Sequence, residues 1–113
     1  MKVIVAGSRD IVDYEIVKSA IVSSGFQITE IVSGGARGVD TLGERYAKEN
    51  NIPFVVFPAK WDLYGKKAGY LRNIQMSEYA DGLIAVWDGV SKGTGHMIHI
   101  AMKNDLEVYI RRI

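Results

Sequence analysis

Apolar residues along the chain fall into two kinds of run. The short continuous runs have the pattern of strands buried on both faces. They are Lys2-Val3-Ile4-Val5-Ala6, Glu30-Ile31-Val32-Ser33, Phe54-Val55-Val56-Phe57, Gly82-Leu83-Ile84-Ala85-Val86-Trp87 and Leu106-Glu107-Val108-Tyr109-Ile110. Between them, apolar residues recur at helical spacing. Val12 to Ser24 carries Ile16, Val17, Ala20 and Ile21, with Gly25 as a stop. Val39 to Asn50 carries Leu42, Tyr46 and Ala47, and Pro53 biases Ile52 away from helix. Ala68 to Tyr79 places Leu71, Ile74, Gln75 and Met76 near one side, and Gly95 to Asn104 forms a fourth helix.

Five strands alternating with four helices predict an α/β fold: a Rossmann-like, doubly wound parallel five-stranded sheet with helices on both faces. Right-handed crossovers favour the strand order 3-2-1-4-5. The winding then reverses between the first and fourth strands, and ligands of such sheets bind at the carboxyl ends of the strands flanking that reversal.

Three glycine-bearing turns fall at those carboxyl ends. They are Gly7-Ser8-Arg9-Asp10, Ser33-Gly34-Gly35-Ala36-Arg37-Gly38-Val39-Asp40, and Asp88-Gly89-Val90-Ser91-Lys92-Gly93-Thr94-Gly95. Glycine lets the backbone approach a ligand closely. A helix N-terminus adds unpaired N–H donors and partial positive charge. Together they predict a site for a phosphorylated ligand, a nucleotide or a nucleotide-derived small molecule.

Composition narrows the picture. The 113 residues predict one domain spanning 1–113, with 48% hydrophobic and 24% charged residues, as in globular proteins. No apolar run is long enough for a membrane span, and Met1-Lys2 leads straight into a strand rather than a signal peptide. No cysteine is present, which excludes disulfides and thiolate metal sites and fits a cytoplasmic protein. A net charge of +1 gives no global attraction to nucleic acid, so nucleic acid is not an expected partner and anion binding has to come from local geometry. His96 and His99 are three apart on the fourth helix, but no ligand cluster accompanies them, so neither a metal nor a cofactor is expected.

The second turn resembles the Ser-Gly-x-Ala-x-Gly-Ile-Asp motif of the DprA Rossmann domain, and Gly7-Ser8-Arg9 and Arg72-Asn73 resemble the same family. Trp61 to Met76 looks like the small stand-alone members of the SLOG superfamily, which includes the YpsA-like proteins and the LOG phosphoribohydrolases. The resemblance runs from residue 3 to about residue 104. It implies a nucleotide-binding Rossmann-like domain and a homodimer or larger homo-oligomer. LOG enzymes carry Pro-Gly-Gly-x-Gly-Thr-x-x-Glu at the fourth strand-helix turn. Here the glutamate position falls on Met97, which cannot act as acid or base. DprA proteins usually carry extra domains and a basic surplus that this chain does not show.

The predicted ligand contacts are Gly7, Ser8 and Arg9 in the first turn; Ser33, Gly34, Gly35, Ala36, Arg37 and Asp40 in the second; Arg72 and Asn73 on the third helix; and Asp88, Gly93, Thr94 and Gly95 in the third turn. Arg37 adds a fork of donors to the backbone N–H groups of its turn. Thr94 could also be a helix N-cap. Trp61 and Tyr64, on a loop with Asp62, Lys66 and Lys67, could stack on a base, cover the core or build a subunit contact. No catalytic residue is assigned. The favoured expectation is a sensor or binding module. The alternatives are a LOG-like hydrolase of a nucleotide N-glycosidic bond, using a carboxylate such as Asp62 or Asp88, and a reduced DprA-like nucleic-acid-binding accessory protein.

Overall fold

A computed structural model describes all 113 residues. Five strands, β1 (Lys2–Gly7), β2 (Glu30–Ser33), β3 (Phe54–Val56), β4 (Gly82–Trp87) and β5 (Glu107–Arg112), form one sheet. Every pairing is parallel and the order is β3-β2-β1-β4-β5, as the alternation of elements predicts. The helices are α1 (Tyr14–Ser23), α2 (Val39–Glu49), the short α3 (Trp61–Tyr64), α4 (Ala68–Tyr79) and α5 (Lys92–Lys103). No helix is long and apolar enough to cross a membrane.

Strand alternation divides the core. Val3 and Val5 of β1, with Ile84 and Val86 of β4, pack beneath α1 and α2, joined by Val17, Ala20, Ile21, Val39 and Ala47. Ile4 and Ala6, with Leu83 and Ala85, face α4 and α5, joined by Met76, Met97, Ile98 and Ala101. Both faces are covered, which is why these strands are continuous apolar runs. The register sets Val3 opposite Gly82 and Gly7 opposite Val86, so β1 and β4 end together at the winding reversal.

Several boundaries differ from the sequence reading. Helix α1 begins at Tyr14 because the Asp13 carboxylate accepts the Glu15 N–H at 3.0 Å and caps it. Residues 61–67 are not an open loop: α3 makes one helical turn and Gly65–Lys67 a 3₁₀ turn. Helix α5 begins at Lys92 rather than Gly95. The Asp88 carboxylate accepts N–H groups from Val90 and Ser91 at 2.9 and 2.8 Å, which closes the loop early. Ser91 therefore holds the N-cap position, and Thr94 is buried in the first turn instead of capping it. On α4 the inward residues are Ala68, Asn73, Met76 and Ser77, while Leu71 and Gln75 are exposed.

Candidate functional site

A cleft of about 580 Å³ opens at the carboxyl ends of β1 and β4, where the three turns meet α4. Each wall follows from local sequence. The first turn supplies Gly7, Ser8, Arg9 and Asp10. Ser8 is buried, and its hydroxyl accepts the Ser91 hydroxyl at 3.0 Å and the Asp88 N–H at 3.4 Å, so it ties the first turn to the third. Gly38 ties the second turn to the first. It is the N-cap of α2 at φ +78, and a Cβ there would lie 2.5 Å from the Arg9 carbonyl oxygen and 2.6 Å from that of Ser8.

The second turn contributes Ala36, Arg37 and Asp40 to the cleft. Ser33 lies beneath it, fully buried. Its hydroxyl donates to Glu44 at 2.6 Å and accepts the Gly35 N–H at 3.1 Å, so it shapes the turn from below. Gly34 and Gly35 line an adjoining hollow rather than the cleft. Arg37 is largely exposed and sits 3.5 Å from the equally exposed Asp10 carboxylate. Asp40 is 5% exposed and accepts the Ala36 N–H at 3.3 Å. Burial pushes its carboxyl up to about 6, assisted by Glu44 and opposed by the Ala36 N–H and the charges of Arg72 and Arg9.

Helix α4 presents Arg72 and Asn73 as a linked pair. Arg72 Nη1 donates to the Gly34 carbonyl, and Arg72 Nε donates to Asn73 Oδ1 at 3.1 Å. Because arginine only donates, that bond fixes which end of the Asn73 amide is oxygen. The Asn73 nitrogen then donates to the Gly93 carbonyl at 3.3 Å and to His96 Nδ1 at 3.1 Å. His96 is thereby the neutral tautomer with its proton on Nε2, and burial pushes its pKa below the ordinary value, with the His99 charge adding to the effect. No three His or carboxylate side chains converge as a metal-binding group.

The third turn supplies Ser91, Lys92, Gly93 and Thr94. The first N–H groups of α5 have no intrahelical partner. Ser91 does not cap them, because its hydroxyl is turned to Ser8 and Asp88. Asp88 itself lies outside the cleft. Its carboxylate is held below the usual range by the N–H groups of Ser91 and Val90 and serves the loop. Gly95 also lies outside, with its Cα against the Trp87 ring, where a Cβ would come to 3.4 Å.

Five basic side chains line the cleft (Arg9, Arg37, Lys66, Arg72 and Lys92) against two carboxylates, Asp10 and Asp40, so its field favours an anion. Trp61 and Tyr70, each about half exposed, add aromatic surface, and Tyr70 also contacts the His96 ring edge-on. Tyr64 and Asp62 are not among the lining residues. Sequence reasoning left out Ser91, Lys92, Gly38 and Tyr70. Ser91 and Lys92 stand inside the third motif, and placing the helix start at Gly95 hid them.

Comparison with known proteins identifies the family of this chain. The Gene 61 protein of Mycobacterium phage D29 is 39% identical over 84 residues, which cover 69% of this chain and 67% of the phage protein. No solved structure matches the chain. A family model described as YspA, cpYpsA-related SLOG family matches residues 1–64, which include the first and second turns. With more than half of its length matched, the chain belongs to the YspA, cpYpsA-related SLOG family.

Proposed function

We propose that this protein binds a nucleotide or nucleotide-derived phosphorylated ligand in the cleft and acts as a sensor or binding module. The observation that carries this reading is the uncapped N-terminus of α5. Its free N–H groups at Lys92, Gly93 and Thr94 border a basic cleft with aromatic surface at Trp61 and Tyr70. Oriented N–H donors and a helix dipole suit a phosphate. The half-exposed rings suit a base, since every base offers a π-face. Arg9, Arg37 and Lys92 supply charge at the rim.

A second reading, hydrolysis of a nucleotide N-glycosidic bond, draws on one observation. Asp40 is a cleft carboxyl whose pKa of about 6 suits proton transfer near neutrality. Against it, the position where LOG enzymes place their glutamate is Met97, which lines the cleft but carries no acid or base. Asp62 and Asp88 lie outside the cleft lining. A nucleotide panel read both by calorimetry and by free-base release decides between the two. Binding without base release supports the module. Rapid base release from AMP or a related monophosphate overturns it. A DNA shift assay across a salt series, with no shift expected, tests the DprA-like alternative.

A further inference from the structure

The cleft does not exhaust the basic groups at this end of the sheet. On the β3 side of the second turn lies a hollow of about 440 Å³, bounded by Gly34, Gly35, Val56, Pro58 and Ala59. It shares Arg9, Ala36, Arg37, Trp61 and Arg72 with the cleft, so the two spaces meet across those side chains.

Arg72 is half-buried, yet its guanidinium meets only neutral acceptors, the Gly34 carbonyl and the Asn73 amide oxygen. The chain's ion pairs are Arg37–Asp10 and Arg45–Glu49, so neither Arg72 nor Arg9 is bonded directly to a carboxylate, and Asp40 acts on both only through space. A guanidinium has five N–H donors, and these two bonds leave most of them free. A cation held partly out of water beside a second arginine, with no carboxylate bonded to it directly, gains from an anion that takes up its free donors. Guanidinium groups match phosphate in shape as well as charge.

We propose that this hollow is a second anion subsite and that the ligand carries two separated phosphate groups, as a nucleoside 3′,5′-bisphosphate does. One phosphate sits at the N-terminus of α5. The other sits across the second turn on Arg72, Arg9 and Arg37. The two ends are distinct: Lys92, Gly93 and Thr94 border only the cleft, while Gly34, Gly35 and Ala59 border only the hollow. The inference rests on the nucleotide reading of the cleft and extends it.

The test is calorimetric titration of the full chain with the 5′-monophosphate, 5′-diphosphate and 3′,5′-bisphosphate of adenosine and of guanosine. The variants are Ala59→Glu, which adds a negative charge to the hollow, and Ala59→Gln, which adds similar bulk without charge. Thermal melts check that both are folded. The bisphosphate is expected to bind at least about tenfold tighter than the monophosphate, the scale of one set of charge-assisted hydrogen bonds. Ala59→Glu should remove most of that gain and leave the monophosphate unchanged, while Ala59→Gln keeps it. Equal affinity for monophosphate and bisphosphate overturns the second subsite. So does a diphosphate that binds as tightly as the bisphosphate, because one contiguous anion would then suffice. Equal weakening of all three ligands by Ala59→Glu overturns its location. If no member of either series binds, the nucleotide reading fails and the second subsite falls with it.

Discussion

Replacing Asp40 with asparagine should stabilise the protein at neutral pH and have little effect in acid. The Asp40 carboxyl is 5% exposed and is raised from an ordinary value of 3.8 to about 6, with burial as the main cause. Between those two values the unfolded chain has released this proton and the folded chain still holds it. Stability therefore falls as pH rises through the window and is fully present only below it. The difference of about 2 pK units corresponds to about 3 kcal/mol of stability lost by pH 7. Asparagine stays neutral at every pH and keeps an oxygen for the Ala36 N–H, which donates to Asp40 Oδ2 at 3.3 Å. Thermal melts of parent and Asp40→Asn from pH 4 to pH 8 should show curves that nearly coincide at pH 4 and separate by up to about 13 °C above pH 7. Taking the difference between the two proteins cancels the titration of the other carboxylates. A difference that does not vary with pH would refute the reasoning. So would a variant less stable than the parent at pH 7.5, since Asp40 would then be ionised and well accommodated.

Three further substitutions separate binding from folding. Arg37→Ala should weaken nucleotide binding about 10- to 150-fold, from a charged hydrogen bond worth roughly 1.5–3 kcal/mol. Its melting temperature should barely move, because the pair with Asp10 is exposed on both sides; calorimetry and melts together check this. Gly34→Val should lose binding and stability together. A Cβ there would lie 2.6 Å from Arg72 Nη1 and 2.7 Å from Asp40 Oδ2, and both measurements on one sample test the coupling. Asn73→Ala should cost about 1–3 kcal/mol in chemical denaturation, by leaving the Gly93 carbonyl and His96 Nδ1 without their donor. An Asn73→Ala variant as stable as the parent would show that those bonds contribute nothing net.

Most of the fold was legible because its strands are buried on both faces. A run such as Leu83-Ile84-Ala85-Val86 has no polar side to confuse with a helix, and both faces are covered in the structure. The inner face of α4 was less legible for the opposite reason. Hydropathy favours Leu71, yet Leu71 is 39% exposed while Asn73 and Ser77 are buried. Those two polar side chains tolerate burial through partners that are not visible in the local sequence. Ser77 donates to the Ile74 carbonyl at 2.7 Å and accepts the Asn104 side-chain N–H at 2.8 Å, and Asn73 reaches α5. The glycine motifs pointed to the end of the sheet where the cleft opens, but not to which residues line it and which support it. Ser33 and Asp88 have the residue types of ligand contacts, and their side chains bond within the turns that carry them. Gly38 is needed for its close approach to another turn, a contact between segments about thirty residues apart.

The arrangement around Gly34 explains why these charges stay available. Asp40 and Arg72 both approach the Gly34 Cα closely enough that a Cβ would touch each, yet they do not form an ion pair. The Asp40 carboxylate is committed to the Ala36 N–H on its own turn. Arg72 reaches over from α4 to the Gly34 carbonyl and to Asn73. A direct pair would lower the folded pKa of Asp40 and occupy the guanidinium fork, and the cleft would lose its most buried cation. The observed geometry keeps the carboxyl raised and leaves the remaining arginine donors unspent. An anion arriving on Arg72 would also face Asp40 as a like charge. Binding should then favour the protonated carboxyl and strengthen as pH falls toward 6. In Asp40→Asn that pH dependence should disappear while binding itself persists, because the free N–H groups of α5 and the arginines are untouched. Titrations at pH 5.5 and 7.5 on both proteins measure it, with a phosphonate ligand of fixed charge or a correction for the ligand's own titration. An equal ratio of affinities in parent and variant would show that Asp40 shapes the turn without sensing what binds above it.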